Sequence, residues 1–294
     1  VNRLVDLHIH SSFSDDGDFA IADIFGMAQR HALAAIAITD HDTLDGISGE
    51  LVTAQQFNVE MIPSVEITTV FPDDGSQQHI LCYFADPDSP ALSAVCARIR
   101  NDRVDLALER LHALKKMGLD YDPIVEIELL TTSSPTATTV VKSIFSHEEN
   151  KKHPLLQSYY DGEKSNNRVM NFYRDFLAFG KPAFTPFRSI PTRDAVITIL
   201  ESGALPVLAH PVFARNTTIL DKIVSYGVIG LEAYSSYHDA EQTRFYIEYA
   251  KGKNLLTTAG SDFHGPTAKP KVPFASVTGD YSIVDCLKKR KERQ

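Results

Sequence analysis

No apolar run in this 294-residue chain reaches the roughly 18 residues that a membrane-spanning helix needs. Cysteine is scarce. Cys82, Cys96 and Cys286 are odd in number and lack CxxC spacing, which predicts unpaired thiols in a reducing cytoplasm rather than a disulfide framework. Basic charge is also short. Lysine and arginine number 29 against 38 acidic residues, a net charge of −9, so the broad basic face that grips duplex nucleic acid is not expected. The one basic run, Lys288 to Lys291 with Arg293, reads as the solvated end of a helix, where cations suit the carbonyl pole. There are no internal repeats and no low-complexity segments. Strand-like sequence begins at Arg3, so no secretory apolar region is expected ahead of it.

What the chain does have is histidine paired with acid at recurring positions. D-L-H-I-H-S supplies His8 and His10, S-D-D-G supplies Asp15, T-D-H-D supplies His41, and V-E-I supplies Glu66. Q-H-I gives His79, A-H-P gives His210, and G-S-D-F-H-G gives Asp262 and His264. Imidazole with carboxylate and no thiolate is the ligand chemistry of hydrolytic sites for zinc, manganese or iron. The other histidines (His31, His112, His147, His153 and His238) sit on helix faces or in loops and read as structural. Asp6, Asp40 and Asp42 neighbour the metal-type histidines and are candidates for fixing their tautomers.

The surrounding rhythm is strand, helix, strand. Leu4 to His10 alternates with period two, and a helix is expected over 23–34. Ala35 to Thr39 is a short apolar strand, followed by a helix over 46–57 and a strand into Glu66. Such alternation implies parallel strands with right-handed crossovers. The Pro-Asp-Asp-Gly turn at 72–75 suggests a hairpin that returns His79 toward Glu66. A long helix over 92–118 then opens a polar, patchily helical stretch. The rhythm resumes with a helix at 192–203, strands at 205–209 and 228–233, a helix at 240–253 and a strand at 255–259. This predicts an α/β chain in which 1–86 and 191–294 form a metal-binding barrel, while 87–190 is a mostly helical insertion that covers its mouth. His10, His41, Glu66, His210 and Asp262 would each follow a separate strand at its carboxyl end, the catalytic face of α/β barrels.

Taken as an ordered set, HxH-S-x-x-S-D, I-T-D-H-D, V-E-I, A-H-P and G-S-D-F-H-G resemble the PHP (polymerase and histidinol phosphatase) family. Within it they are most similar to stand-alone bacterial phosphoesterases that act on nucleotides. The resemblance implies a distorted (β/α)7 barrel holding two or three divalent ions of manganese, iron or zinc. It implies that His8, His10, Glu66 and Asp262 hold one ion, that Glu66 bridges to a second held by His79 and His210, and that Asp15, His41 and His264 hold a third. Some trinuclear relatives have histidine in place of Asp15. Nucleotide-cleaving relatives often carry a Gly-Arg pair ahead of the helix starting near Thr138, whereas this chain reads Ser133-Ser134-Pro135-Thr136. Gly180-Lys181-Pro182-Ala183 resembles the family's later lid segment.

The implied reaction is hydrolysis of a phosphate ester by a metal-activated hydroxide, with Asp262 orienting the water or taking its proton and His264 a lesser candidate for protonating the leaving group. The substrate would be a small phosphorylated metabolite, a 3′,5′-bisphosphate nucleotide or a short oligonucleotide end being favoured. Arg215, Lys181 and Arg103 are the substrate-binding candidates, Arg103 lying on the long helix near Arg100 and Arg110. The alternatives are a histidinol-phosphate-type phosphatase and a non-catalytic binding module.

Overall fold

The computed structural model describes residues 3–132 and 135–293. Its chain runs β1 (Leu4–Ile9), α1 (Ile21–Arg30), β2 (Leu33–Ile38), α2 (Ile47–Ala54), β3 (Glu60–Met61), β4 (Ser64–Val70) and β5 (Gln77–Tyr83). A helical stretch follows, with α3 (Pro90–Lys116), α4 (Ile124–Thr131), α5 (Ala137–Ser146), α6 (Gln157–Tyr160) and α7 (Arg168–Phe172). The chain closes with α8 (Thr192–Glu201), β6 (Leu205–Leu208), α9 (Thr217–Ser225), β7 (Gly230–Ser235), α10 (Ala240–Gly252), β8 (Leu256–Gly260), β9 (Gly279–Asp280) and α11 (Ser282–Lys291). No helix among the described residues is long and apolar enough to cross a membrane.

The strands form two sheets, β3-β2-β1-β9 and β4-β5-β6-β7-β8. The fold is mixed α/β, and the expected distorted (β/α)7 barrel is not present as one closed ladder. Pairing is also mixed. β1, β2 and β3 are parallel, as are β6, β7 and β8, but β5 runs antiparallel to both β4 and β6. The two sheets meet through isolated bridges, Ile9 with Phe263 and His41 with Glu66. At the first seam the His10 amide donates to the Phe263 carbonyl and the Asp262 amide to the His8 carbonyl, both at 2.8 Å. At the second, the Asp42 amide donates to the Glu66 carbonyl at 2.9 Å. His8, His10, His41, Glu66, Asp262 and His264 therefore lie along the seams, while His79 and His210 come from β5 and the exit of β6 within the second sheet.

Apolar strands explain the core. Val5, Leu7, Ala35, Ala37, Leu81, Tyr83, Leu205 and Val207 fill the space between the sheets. Helix α3 serves two cores. Leu92, Val95, Cys96 and Ile99 pack with β4, β5 and α8, whereas Val104, Ala107, Leu111 and Leu114 pack with α4, α5 and α7. Its 27 residues start at Pro90, a proline at the first helical position, and the preceding Ser89 hydroxyl caps it by accepting from the Leu92 amide. Cys82 and Cys96 are buried, Cys286 is exposed, and none is disulfide-bonded.

Candidate metal centre

Glu66 is the hub. It lies in the middle of β4 rather than at its end as expected, fully buried, and both of its oxygens face imidazoles. Oε2 is 3.3 Å from His8 Nε2, 3.3 Å from His10 Nε2 and 3.1 Å from His41 Nδ1. Oε1 is 2.8 Å from His79 Nδ1 and 3.2 Å from His210 Nε2. Antiparallel pairing explains how His79 arrives from the start of its strand, because Thr68 opposes His79 in the β4–β5 register. Asp262 Oδ1 sits 3.3 Å from His8 Nε2 and 3.1 Å from His10 Nε2.

These separations test whether a cation fits. A tetrahedral ion with bonds of about 2.0–2.1 Å sets its ligands about 3.3 Å apart. His8 Nε2, His10 Nε2, Glu66 Oε2 and Asp262 Oδ1 meet that spacing, and all four residues are buried. Two further groups converge in the same way, His41 with Glu66 and His79, and His10 with His41 and His264. Glu66 Oε2, Asp262 Oδ1 and His210 Nδ1 are buried without a hydrogen-bond partner, a state that is costly unless something positive or polar completes it. His8 and His10 point Nε2 atoms at each other at 3.2 Å. The donor set and its geometry fit divalent ions.

Tautomers are fixed from behind. His8 Nδ1 donates to Glu232 Oε1 at 2.8 Å, which leaves the Nε2 lone pair facing the cluster. His264 Nδ1 lies 3.0 Å from the Asp262 carbonyl, so its Nε2 also faces inward. Glu232 is fully buried on β7, and its other oxygen accepts the His210 amide at 2.8 Å. The aspartates expected in this role do something else. Asp40 accepts from the amides and hydroxyls of Ser11 and Ser14, tying the 11–17 loop to the exit of β2. Asp6 accepts the Ser261 and His8 amides, and Asp42 takes the Thr68 amide and Arg103.

Charge follows from this packing. Burial disfavours charge on His8, yet Glu232, Asp262 and Glu66 hold its imidazole well above the usual range. The same contest, with Asp262 and Glu66 outweighing burial, lifts His10 to about 9. Burial keeps His41 and His264 well below it. Glu66 and Asp262 stay ionised against burial, Glu66 through His79, His8 and His41, and Asp262 through Lys269, His8 and His264. Without an ion, protons on His8 and His10 balance these carboxylates; a divalent ion would replace them.

Several backbone features aim the side chains. His210, Asp42 and Asp262 have positive φ angles of 27°, 54° and 55°, uncommon for residues with a Cβ. A Cβ on Gly260 would lie 2.2 Å from that of His8, so only glycine lets β8 approach β1 here. At Gly17 a Cβ would lie 2.0 Å from the Ser11 carbonyl oxygen, which keeps the 11–17 turn tight.

That turn decides which aspartate faces the cluster. Asp15, the expected third-site residue, points away and accepts a hydrogen bond from the Thr139 hydroxyl. Its neighbour Asp16 is drawn inward, with Oδ2 3.8 Å from both His41 Nε2 and His264 Nε2, and burial pushes its carboxyl up. Among the expected substrate residues, Arg103 is at the site. It donates to Asp42 at 2.6 Å and to the Thr68 hydroxyl at 2.7 Å, and lines a cleft of about 170 Å³ with Asp16, His41 and His79. Arg215 does not line that cleft, because its side chain is 63% exposed and paired at 3.5 Å with Asp74. Lys181 is exposed, and Ser133 and Ser134 lie outside the described residues. A wider cleft of about 630 Å³, at the amino end of β2 beside Arg3 and Phe57, holds no histidine.

Sequence reasoning missed Asp16, Glu232 and Lys269. Lys269 reaches Asp262 Oδ2 from the loop after Gly265. Glu232 had a signal, an acid inside the apolar strand G-L-E-A that must be paired if buried. Lys269, an ordinary loop cation, had none.

Comparison with known proteins agrees with this geometry. The PHP domain family matches residues 6–166, more than half of the chain. The chain belongs to the PHP domain family. This PHP protein is 26% identical over 270 residues to a phosphoribosyl 1,2-cyclic phosphate 1,2-diphosphodiesterase of Eggerthella lenta, covering 92% of this chain and 97% of that one. It is 26% identical to a 3′,5′-nucleoside bisphosphate phosphatase of Chromobacterium violaceum, covering 89% and 87%. It is 27% identical to a 5′-3′ exoribonuclease of Haemophilus influenzae, covering 90% and 92%. Its fold resembles that of a protein from Bifidobacterium adolescentis described as a metal-dependent phosphoesterase, with a TM-score of 0.77 at 22% identity over 97% of this chain and 96% of that one.

Proposed function

We propose that this PHP protein is a metal-dependent phosphoesterase that hydrolyses a phosphate ester of a small phosphorylated metabolite. The favoured substrate is a nucleotide carrying 3′,5′-bisphosphates or a short oligonucleotide end. The observation that carries this reading is the cluster of His8 Nε2, His10 Nε2, Glu66 Oε2 and Asp262 Oδ1, in which each imidazole nitrogen lies 3.1–3.3 Å from the other and from both carboxylate oxygens. The names of the three relatives, all phosphoester hydrolases, support the reaction class.

His8, His10, Glu66 and Asp262 would hold one ion, Glu66 with His79 and His210 a second, and His41 and His264 a third, with Asp16 rather than Asp15 beside it. When bound, two or three divalent ions of manganese, iron or zinc supply an activated water near neutral pH and neutralise phosphoryl charge. The protein's own share is placement. Glu232 and the Asp262 carbonyl hold the His8 and His264 rings in the ligating tautomer. Lys269 holds Asp262 Oδ2 and keeps the carboxylate ionised, so that Asp262 would both hold the ion and orient the attacking water. His264, with Nε2 turned into the cluster, serves as a ligand rather than as the acid for the leaving group. Residues 87–190 act as a lid, since Arg103, Pro135 and Tyr173 line the same cleft as His41 and His79. A barrel-like closure through the two bridged seams and a cytoplasmic location complete the reading, the latter consistent with three unbonded cysteines.

The test is phosphate release by protein reconstituted separately with manganese, iron and zinc. Adenosine 3′,5′-bisphosphate, a short RNA and histidinol phosphate would be compared as substrates. Turnover of the first two is expected. Turnover of histidinol phosphate alone would replace the nucleotide reading, and binding of ions without turnover of any ester would favour a non-catalytic module.

A further inference from the structure

We propose that Arg110, acting with Arg103 beside the amino end of α5, binds a second anionic group of the substrate and selects for substrates that carry one. The inference rests on the phosphoesterase reading, in that the reacting phosphate sits on the imidazole side of the cleft.

Arg103 and Arg110 are seven residues apart on α3, two helical turns, and so share one face. Both line the same cleft as Asp16, His41 and His79. The two arginines differ in their partners. Arg103 is neutralised by Asp42 at 2.6 Å. Arg110 is only 8% exposed, and its Nε is buried without a hydrogen-bond partner. Burial pushes its guanidinium down, and Arg103 works the same way; the Tyr173 hydroxyl is the group that opposes them. No carboxylate among the described residues pairs with it. A guanidinium taken out of water without an anion is costly, and a helix that needed only packing there would be served by leucine or methionine.

The third contributor is α5, a ten-residue helix whose N-cap Thr136 and first residue Ala137 line the same cleft. Its amino terminus carries the positive end of the helix dipole, with the Thr136 and Thr138 amides already taken up by a Thr136–Thr139 capping box. Two guanidinium groups and a capped helix amino terminus thus line one pocket of about 170 Å³ together with His41 and His79. A substrate with one phosphate on that cluster and a second phosphate or similar anion reaching toward α3 satisfies both walls. An ester lacking the second anion leaves Arg110 as it is in the free protein. Arginine suits the role because its fork can give two parallel hydrogen bonds to a phosphate.

The experiment compares adenosine 3′,5′-bisphosphate with 4-nitrophenyl phosphate on manganese-loaded wild type, Arg110→Met and Arg110→Lys. Ion content and Tm are measured for each as controls on folding. Arg110→Met should lower kcat/KM for the bisphosphate roughly 30-fold, chiefly through KM, the usual order for a lost charge-assisted hydrogen bond. For 4-nitrophenyl phosphate the change should stay within about 3-fold, and Arg110→Lys should fall between, keeping charge without the fork. An equal loss on both esters, or no loss on either, would overturn the proposal. Calorimetric binding of the bisphosphate to the loaded proteins gives the same comparison without turnover. Wild type binding tighter than Arg110→Met supports the anion receptor even if the reaction assigned to the centre is wrong, and equal affinity removes it.

Discussion

On the strand side of the cleft, the imidazoles and carboxylates are held by strands and strand exits, most of them at the seam between two sheets. On the helical side, the chemistry hangs from long cationic side chains of one helix and from the end of another. The first wall is set by strand geometry and gains little from rearrangement, as ion binding requires. The second is set by rotamers and helix packing, and so can be altered one residue at a time without dismantling the first. On the proposed reading, reaction class belongs to the rigid wall and substrate choice to the adjustable one.

The sharpest way to break this division is at Glu66. Because its two oxygens face separate imidazole sets, Glu66→Gln should lower bound ions by at least one per chain and cut turnover on the order of 1,000-fold. Elemental analysis and phosphate release check it; full ion content with full activity would dissolve the hub. Next comes pH. With His10 held near 9 in metal-free protein, a proton must leave before its Nε2 can ligate. Ion affinity should therefore rise about tenfold per pH unit between roughly 6.5 and 9 for this one group. The His10 contribution to metal-free stability runs the opposite way. A raised pKa stabilises fully below 6.5, and that contribution is lost as pH climbs through 9. Calorimetry in buffers of different ionisation heat, with Tm against pH, measures both.

Smaller effects sharpen the comparison. Glu232→Gln keeps the shape but loosens the His8 tautomer, and should weaken ion affinity about 10- to 100-fold by titration. Asp16→Asn should reduce activity about tenfold, while Asp15→Asn, on the helix-facing side of the same turn, should cost only about 1 kcal/mol of stability. Denaturant melts and ion counts distinguish the two; a larger activity loss at Asp15 would reverse their assignment. Least of all, Arg215→Ala should change KM less than about twofold, because its exposed pair with Asp74 is worth little.

The strand-end pattern made the rigid wall readable in advance. Period-two alternation before His8 and His10, and short apolar strands before His41, His210 and Asp262, marked the elements that carry them. Antiparallel β5 was legible through its turn, which is why His79 was expected despite its place at the strand start. Legibility stopped where local sequence leaves two answers. Ser-Asp-Asp-Gly offers two adjacent carboxylates, and the packed 11–17 turn, tight at Gly17 against Ser11, is what leaves Asp16 rather than Asp15 facing His41 and His264. Glu232 fixes His8 from 224 residues away, a pairing no local pattern encodes. Among the cations, exposure decided, and exposure is a property of the packed molecule.

The sequence by itself determined the ligand types, their order and the strands that carry them, because hydrophobic periodicity and side-chain chemistry are local. Tertiary structure alone decided that the sheets would meet by bridges instead of one ladder, which aspartate would face the ions, and which arginine would be buried without a counter-charge. Those outcomes depend on contacts between segments far apart in the chain, where a shift of one residue or one rotamer exchanges a core position for a surface one.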